Sequence, residues 1–212
     1  GKMILSTSMN LDLTLNPDYS QVEVDRQQID LDRFELFYPE KRQFFLENSD
    51  LFSSLGRTGI QPFFSRRVGL NVPVNAGLRL TGRFGDRWRI GLMDIQTGAR
   101  DTIPSSNYAV TILQRNVFSR SSIIAFLVNK QVTGSYSDNI SGIMKYNRVT
   151  GLEYNMANPD NRWTGKVFYH QSLYPGAKAD ASAAGANLTY SSQFLKASLD
   201  QAWVGADFNA ET

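Results

Sequence analysis

The sequence contains no cysteine and a single histidine, His170. The lack of cysteine excludes disulfides, thiolate metal ligands and cysteine nucleophiles. One histidine excludes metal sites built from several histidines and catalysis by a histidine pair. Neither a Gly-x-Ser-x-Gly motif nor a phosphate-binding loop occurs. We therefore expect no cofactor and no metal, and a non-catalytic role is favoured over an enzymatic one.

Long apolar runs are also missing. No stretch approaches the roughly 18 consecutive apolar residues that a transmembrane helix needs. A membrane protein is still allowed, because the strands of a β-barrel alternate and carry only a weak hydropathy signal. The chain opens Gly1-Lys2-Met3-Ile4 without an apolar signal segment. An outer-membrane location therefore requires that such a segment was removed, and we expect one structural unit cut from a longer protein.

Alternating sequence predicts an antiparallel sheet over residues 76–212. Short alternating runs are separated by turn residues, which is typical of hairpins. Eight strands are expected, at residues 76–84, 88–92, 108–115, 122–130, 148–156, 163–170, 184–190 and 195–203. Short turns alternate with longer connections, as in membrane barrels, although a soluble β-domain shares this pattern. Aromatic residues are expected near strand ends as membrane girdles, namely Trp88, Trp163, Trp203, Tyr108, Tyr154, Tyr169 and Tyr190.

The first hairpin has a defined register. Leu78, Leu80 and Phe84 share one side with Trp88, Ile90 and Leu92 only if residue 84 lies opposite residue 88. This register requires a three-residue loop at 85–87 and places Arg83 opposite Arg89. Opposed like charges destabilise a sheet, so a carboxylate or a bound anion is expected nearby. Glu153, Asp94 and the acidic N-terminal part are the candidates for that carboxylate.

Residues 1–75 lack the repeated pattern of alternating runs and turns, and they form the second region. Residues 4–15 alternate and predict a strand, whereas Asp32 followed by Glu35 predicts the capping box of a short helix. Residues 1–50 have a net charge of −5 and residues 51–212 a net charge of +7. Opposite charge favours docking of an irregular, plug-like N-terminal segment on the arginine-lined side of the sheet.

Several stretches resemble a known family. They are Leu15-Asn16-Pro17-Asp18-Tyr19-Ser20-Gln21-Val22-Glu23-Val24-Asp25, residues 34–47 (FELFYPEKRQFFLE), residues 64–69 (FSRRVG) and the hairpin of residues 78–91. In order and spacing they resemble the uncharacterised barrel region that follows a family 9 carbohydrate-binding domain in large surface proteins of Gram-negative bacteria. The resemblance is good over residues 10–130, with departures at Gln43, where proline is usual, and Asn48, where glycine is frequent.

The resemblance implies an architecture and a location, not a reaction. It implies an all-β protein, an antiparallel meander of about 8–10 strands in a partial outer-membrane-type β-barrel, with an irregular N-terminal plug-like segment. The preceding carbohydrate-binding domain and further barrel strands are then expected as missing partners, together with outer-membrane lipid or detergent and a glycan. Three arrangements are compatible with the resemblance: the barrel closes on itself, pairs with another copy, or forms part of a larger assembly.

Carboxylates and arginines supply the candidate chemistry. Calcium could bind an acidic cluster comprising Asp12, Asp18, Glu23, Asp25, Asp30 and Asp32, but arginine pairing is favoured because no EF-hand spacing exists. A glycosidase pair among Glu35, Glu40 and Glu47 is less favoured than ion pairing. The arginine-rich stretch 57–89 lacks a nucleic-acid motif, so lipopolysaccharide phosphates or an acidic plug explain it better. The candidate structural or ligand-binding network is Glu40, Lys41, Arg42, Glu47, Arg66, Arg67, Arg79, Arg83 and Arg89.

The sequence thus predicts a non-catalytic outer-membrane β-barrel module of a larger envelope protein, linked to glycan binding or transport at the cell surface. The alternative is a soluble β-rich domain that binds or hydrolyses glycans. Dependence on detergent separates the two.

Overall fold

The protein is described by a computed structural model, which covers residues 1–17, 40–134, 143–177 and 179–211. In these ranges it consists of ten strands, two very short helices and one 3-10 helix. The elements are β1 (Lys2–Ser6), β2 (Met9–Leu15), α1 (Gln43–Leu46), α2 (Ser49–Ser53), the 3-10 helix (Ser65–Arg67), β3 (Val74–Phe84), β4 (Trp88–Thr97), β5 (Ser106–Val117), β6 (Ser121–Val132), β7 (Tyr146–Ala157), β8 (Trp163–Leu173), β9 (Ser182–Ser191) and β10 (Lys196–Val204).

The strands form one antiparallel sheet in which every strand pairs with the next along the chain, from β1 to β10. The predicted all-β antiparallel meander of about 8–10 strands is therefore confirmed. Among the described residues no ladder joins β1 to β10, so the sheet is open rather than closed into a barrel. Because β2 pairs with β3 from Met9↔Gly82 to Leu15↔Ala76, residues 1–17 share this sheet with the hairpin region that follows residue 75.

The predicted register of the β3–β4 hairpin is confirmed. Phe84 lies opposite Trp88 and Arg83 lies opposite Arg89, across a three-residue loop. Gly85 in this loop has a φ of +59°, a left-handed conformation that glycine adopts without steric cost. Strict alternation of large apolar residues was enough to specify this pairing, because a shift by one residue would exchange the two faces.

The N-terminal alternating stretch differs from its prediction. Residues 4–15 were expected to form one strand, but the chain turns at Thr7 and Ser8 and forms the hairpin β1–β2. A local hydrogen bond stabilises this turn, since the backbone N–H of Ser8 donates to the hydroxyl of Ser6 at 3.3 Å. The predicted capping box of Asp32 and Glu35 lies outside the described residues.

The two faces of the sheet have different surroundings. Residues 40–73, here called the covering segment, pack on the face that carries Met93, Ile112, Ile124 and Phe126, here called the covered face. Both sides contribute to one hydrophobic core, and the covering segment contributes Phe45, Leu51, Phe52, Leu55, Phe63 and Val68. Tyr108 belongs to this core with 8% exposure, so its predicted role as a girdle residue at a strand end is wrong. Residue 108 shares the parity of Val110 and Ile112, which directs its ring into the core.

The opposite face, here called the open face, carries the other set of alternating residues. It is largely apolar and exposed in the described chain. Its exposed members include Leu13, Leu78, Phe84, Ile123, Leu127, Leu152, Trp163, Val167, Tyr169, Leu188, Leu199 and Trp203. The described part of the chain contains no helix long and apolar enough to cross a membrane.

The C-terminal residues 205–211 return to the covered face. Phe208 and Ala210 pack against the hydrophobic core. The Lys130 ammonium lies 2.7 Å from the carboxylate of Glu211, and the Tyr174 hydroxyl donates to the carbonyl of Asp207 at 2.7 Å. The covered face is thus closed over by both the covering segment and the chain end.

Candidate functional site

Arg79 on β3 holds the first part of the covering segment. Its guanidinium is 1% exposed and lies 2.8 Å from the Asp12 carboxylate on β2, the strand directly beside it. The same side chain donates to the carbonyl of Phe44 and, at 2.6 Å, to the carbonyl of Glu47. The Glu47 carboxylate lies 3.4 Å away and also pairs with Lys2 of β1. A buried cation requires such partners, because an unpaired charge in the core costs several kcal/mol.

A second polar cluster, on strands β7 and β8, holds the middle of the covering segment. Glu153 accepts from the Gly56 backbone N–H at 2.6 Å, while the His170 Nε2 lies 2.9 Å from the same carboxylate oxygen. Lys166 lies 2.8 Å from the other oxygen and donates to the carbonyls of Ser54 and Gly56 at 2.6 and 2.7 Å. The side chains of Glu153 and His170 are fully buried. Three hydrogen bonds therefore connect this loop to the strands.

Glu40 and Arg42 form a third cluster that lies within the covering segment. The Arg42 guanidinium lies 2.8 Å from Glu40 and donates to the carbonyls of Ser65 and Val68 at 2.6 and 2.7 Å. It also stacks on the Phe45 ring, 4.1 Å from the ring centroid. The Ser65 hydroxyl donates to Glu40 at 2.7 Å. Burial by itself would raise the pKa of Glu40, but the hydrogen bonds from Arg42 and Ser65 and the Arg42 charge outweigh it, so the pKa lies below its ordinary value.

Arg83 and Arg89 stand opposite each other on the covered face, as their register requires. Asp50 of α2 lies 2.8 Å from Arg89 and supplies the expected carboxylate from the acidic N-terminal part. The other two carboxylates that were expected near this arginine pair have different partners. Glu153 contacts Gly56, and Asp94 accepts from Asn107 at 3.0 Å on the open face. Arg83 makes no ion pair within the described ranges of the chain.

The remaining members of the predicted network lie in the covering segment. Arg67 donates to the carbonyl of Ala210 at 2.7 Å and so joins the segment to the chain end. The Lys41 backbone N–H donates to Glu40 at 3.0 Å, and Arg66 lies in the 3-10 helix. The structure thus divides the predicted residues among several contacts and does not bring them into one site.

The described residues give little support to a metal site or to a glycosidase site. No group of three or more histidine, aspartate or glutamate side chains is placed to hold a metal ion in those ranges. Asp12 is paired with Arg79, whereas the other calcium candidates, Asp18, Glu23, Asp25, Asp30 and Asp32, lie outside the described residues, as does Glu35. Glu40 and Glu47 belong to different clusters, and each carboxylate is engaged by a cation.

Sequence reasoning missed the joint role of Glu153, Lys166 and His170. Glu153 lies opposite Ile124 on the covered face. In the sequence, however, the only large apolar residue that shares its parity within β7 is Val149, so alternation gave no signal of a buried carboxylate. Its partner Gly56 could not be inferred, because the covering segment has no periodicity from which a register could be read.

Comparison with known families is informative for the N-terminal part. Residues 2–80 match the family model described as a domain of unknown function (DUF5916). No curated protein and no solved structure gave a significant match. The matched range contains β1, β2, the covering segment and the start of β3, together with three of the motif stretches singled out above. Over this range the chain is therefore similar to an uncharacterised domain.

Proposed function

We propose that this chain is a non-catalytic module of an outer-membrane β-barrel, with the open face against lipid and the covering segment inside. The observation that carries the proposal is the distribution of polarity between the two faces. Buried charge lies on the covered face, at Arg79 and Glu153, whereas the open face exposes Leu152 at 60% and Leu199 at 72%. Soluble proteins rarely expose an apolar surface that continues across many strands, but membrane barrels require one.

Strand length and loop pattern also support a barrel. Strands β3 to β10 contain 9 to 12 residues each. A tilted strand of about 9–11 residues spans the hydrocarbon core of a bilayer. The connections β3–β4, β5–β6, β7–β8 and β9–β10 are short and lie at one end of the sheet, here called the short-turn end. Longer connections lie at the other end, as in outer-membrane barrels.

Aromatic side chains are concentrated at the short-turn end. Phe84 stacks on Trp88 with ring centroids 5.8 Å apart, and Trp163 packs on Tyr190 at 4.9 Å. Phe118 and Phe194, in the adjoining turns, are 89% and 96% exposed. Fully exposed phenylalanines are unfavourable in water but suit the interface between lipid and water. This band supports the proposal, because such a girdle is expected on one side of a membrane.

The wider role rests on the resemblance and not on the geometry. In the surface proteins that the motifs resemble, the barrel region follows a family 9 carbohydrate-binding domain, so we propose that the module contributes to glycan binding or transport at the Gram-negative cell surface. Further strands would complete the barrel at the unpaired edges of β1 and β10, because exposed edges otherwise promote aggregation.

Site-specific fluorescence tests the membrane contact. Because the sequence has no cysteine, single cysteines can be introduced at Leu152 and Val167 on the open face and at Asp160 in the β7–β8 turn. The chain is labelled with an environment-sensitive dye and refolded into phosphatidylethanolamine–phosphatidylglycerol vesicles. Emission at Leu152→Cys and Val167→Cys should shift to the blue and be quenched by lipids brominated on their acyl chains, whereas emission at Asp160→Cys should not.

The same experiment identifies the soluble alternative. A soluble glycan-binding or glycan-hydrolysing domain would stay monomeric without detergent, and its labels at Leu152 and Val167 would be indifferent to brominated lipid. That result would contradict the membrane proposal.

A further inference from the structure

A cavity of about 300 Å³ lies at the short-turn end of the sheet, between the covered face and α2. Its walls come from the β1–β2 turn, strands β2 to β4 and the start of α2. The lining residues are Thr7, Ser8, Asn10, Asn48, Leu51, Thr81, Gly82, Arg83 and Arg89. Two guanidinium groups, two amides and three hydroxyl groups stand around it, and Leu51 is the one large apolar side chain among them. Its volume equals that of the smaller ligand-binding pockets, which begin at about 300 Å³.

The backbone builds this cavity by a close approach of two strands. The Arg83 backbone N–H donates to the Ser8 carbonyl at 2.9 Å. A Cβ atom on Gly82 would lie 2.5 Å from the same carbonyl oxygen, so only glycine lets the β1–β2 turn sit here. On the other side, Asn48 has a φ of +53° and donates its amide to the Thr81 hydroxyl at 3.0 Å. The walls are therefore fixed before any ligand arrives.

The charge of the cavity is unbalanced. Arg83 and Arg89 are direct cross-strand partners, and like charges in such positions destabilise a sheet. A single carboxylate, Asp50, serves the pair, and it contacts Arg89 at 2.8 Å while its own side chain is 62% exposed. Arg83 has no carboxylate partner in the described part of the chain. Arg83 is exposed. An anion can therefore reach it beside a second arginine that Asp50 already holds in place.

We propose that this cavity binds an oxyanion, a phosphate or carboxylate group carried by a small hydroxyl-bearing molecule, through Arg83 and Arg89. Planar guanidinium groups bind phosphate and carboxylate in a bidentate manner, which a neutral polyol cannot exploit. Asn10, Asn48 and Ser8 offer donors and acceptors to the hydroxyl groups of the same molecule. The site does not depend on whether the open face contacts lipid, so its test is independent of the membrane proposal.

Calorimetric titration of the folded 212-residue chain tests the site, with inorganic phosphate, glucose 6-phosphate, glucuronate and glucose as four separate probes. Saturable binding is expected for the anions and not for glucose. Tighter binding of glucose 6-phosphate than of inorganic phosphate would show that the hydroxyl groups are also recognised. Tighter binding of glucuronate would identify a carboxylate as the preferred anion.

Variants distinguish anion binding at this cavity from general electrostatic attraction of anions to the protein. Arg83→Ala should weaken anion binding by about tenfold or more, because it removes a charge-assisted pair of hydrogen bonds. Arg83→Lys keeps the charge but not the fork of donors, and should restore only part of the affinity. The matched control is Arg162→Ala, since Arg162 lies in the β7–β8 turn with 62% exposure and pairs with Asp160. It should bind anions as the unchanged chain does.

Three results would overturn the proposal. They are the absence of saturable binding of every anion to the unchanged chain, equal weakening by Arg83→Ala and Arg162→Ala, and equal affinity for glucose and glucose 6-phosphate. Circular dichroism of each variant establishes that it is folded. If Arg83→Ala does not fold, Arg83→Lys provides the same comparison with Arg162→Ala.

Discussion

Glu153 on β7 accepts a 2.6 Å hydrogen bond from the backbone N–H of Gly56, which lies 97 positions earlier in the chain. This contact joins a loop of the covering segment to a strand at the far side of the sheet from β2 and β3. Arg79 makes the corresponding contacts at the near side, to Phe44 and Glu47. Buried charge therefore holds the covering segment near its start and at its middle, with apolar packing between the two points.

Replacing Glu153 tests the far contact. Glu153→Gln leaves the Lys166 ammonium, 19% exposed, without its carboxylate and gives Gly56 a weaker acceptor. We expect the free energy of unfolding to fall by about 3 kcal/mol, as when one partner of a buried ion pair is removed. Denaturant unfolding measures this, and protease cleavage near Gly56 should accelerate. Asp160→Asn, which breaks an exposed pair with Arg162, should cost less than about 1 kcal/mol. Equal losses in the two variants would contradict the prediction.

Two glycines of the same loop provide a matched pair. Gly56 has a φ of +69°, and a Cβ atom there would lie 1.9 Å from the Ile60 carbonyl oxygen. Gly59 has a φ of +82°, but a Cβ atom on it would meet open space. Gly59→Ala should therefore cost only the left-handed backbone conformation, about 1–2 kcal/mol, whereas Gly56→Ala should cost distinctly more. Thermal unfolding of the two variants compares them directly, and a smaller loss for Gly56→Ala would disprove the steric argument.

Substitutions of Arg79 test the contacts that it makes with the start of the covering segment. Arg79→Lys keeps a positive charge, but one ammonium group cannot serve Asp12 and two backbone carbonyls in the geometry of the guanidinium fork. Arg79→Met removes the charge and leaves Asp12 unpaired. We expect both to destabilise the fold, by about 1–3 kcal/mol for lysine and about 3–5 kcal/mol for methionine. Arg162→Met is the surface control. Denaturant midpoints rank the three variants, and a methionine variant as stable as the control would show that Arg79 is not needed.

The local parts of the fold were predictable from the sequence. Alternation between Leu78 and Leu92 specified the β3–β4 register, because only one pairing puts all the large apolar residues on one face. The same register revealed the opposed pair of Arg83 and Arg89, from which the need for a nearby negative charge followed.

The nonlocal contacts could not be predicted. Which strand contacts Gly56 or Phe44 depends on how the irregular covering segment crosses the covered face. Such a segment has no sequence periodicity from which its contacts with a strand could be predicted. The β1–β2 turn was missed for a different reason. Ser6, Thr7 and Ser8 are three consecutive polar residues that interrupt the alternation. The interruption was treated as part of one strand, although a short polar run of this kind is also the signal of a turn.

The Glu40 cluster predicts an acid-dependent step. The pKa of Glu40 lies below its ordinary value of 4.5, because hydrogen bonds from Arg42 and Ser65 and the Arg42 charge outweigh the effect of burial. A carboxyl whose pKa is lower in the folded than in the unfolded chain stabilises the fold above the unfolded pKa. That stabilisation is lost as the pH falls through the folded pKa. Unfolding free energies between about pH 7 and about pH 3 should therefore show Glu40→Gln less stable than the unchanged chain at neutral pH, with the difference closing below about pH 4.5.

Ser65→Ala refines this prediction, because it removes one hydrogen bond to Glu40 while leaving Arg42 in place. The pKa of Glu40 should then rise part of the way toward its ordinary value, so the acid-dependent loss should be smaller and be complete at a higher pH than in the unchanged chain. As the pH falls, Ser65→Ala should reach its low-pH stability before the unchanged chain does, whereas Glu40→Gln should lack this component altogether. A stability difference between Glu40→Gln and the unchanged chain that is the same at every pH would mean that Glu40 acts by its shape and hydrogen bonds and not by its charge.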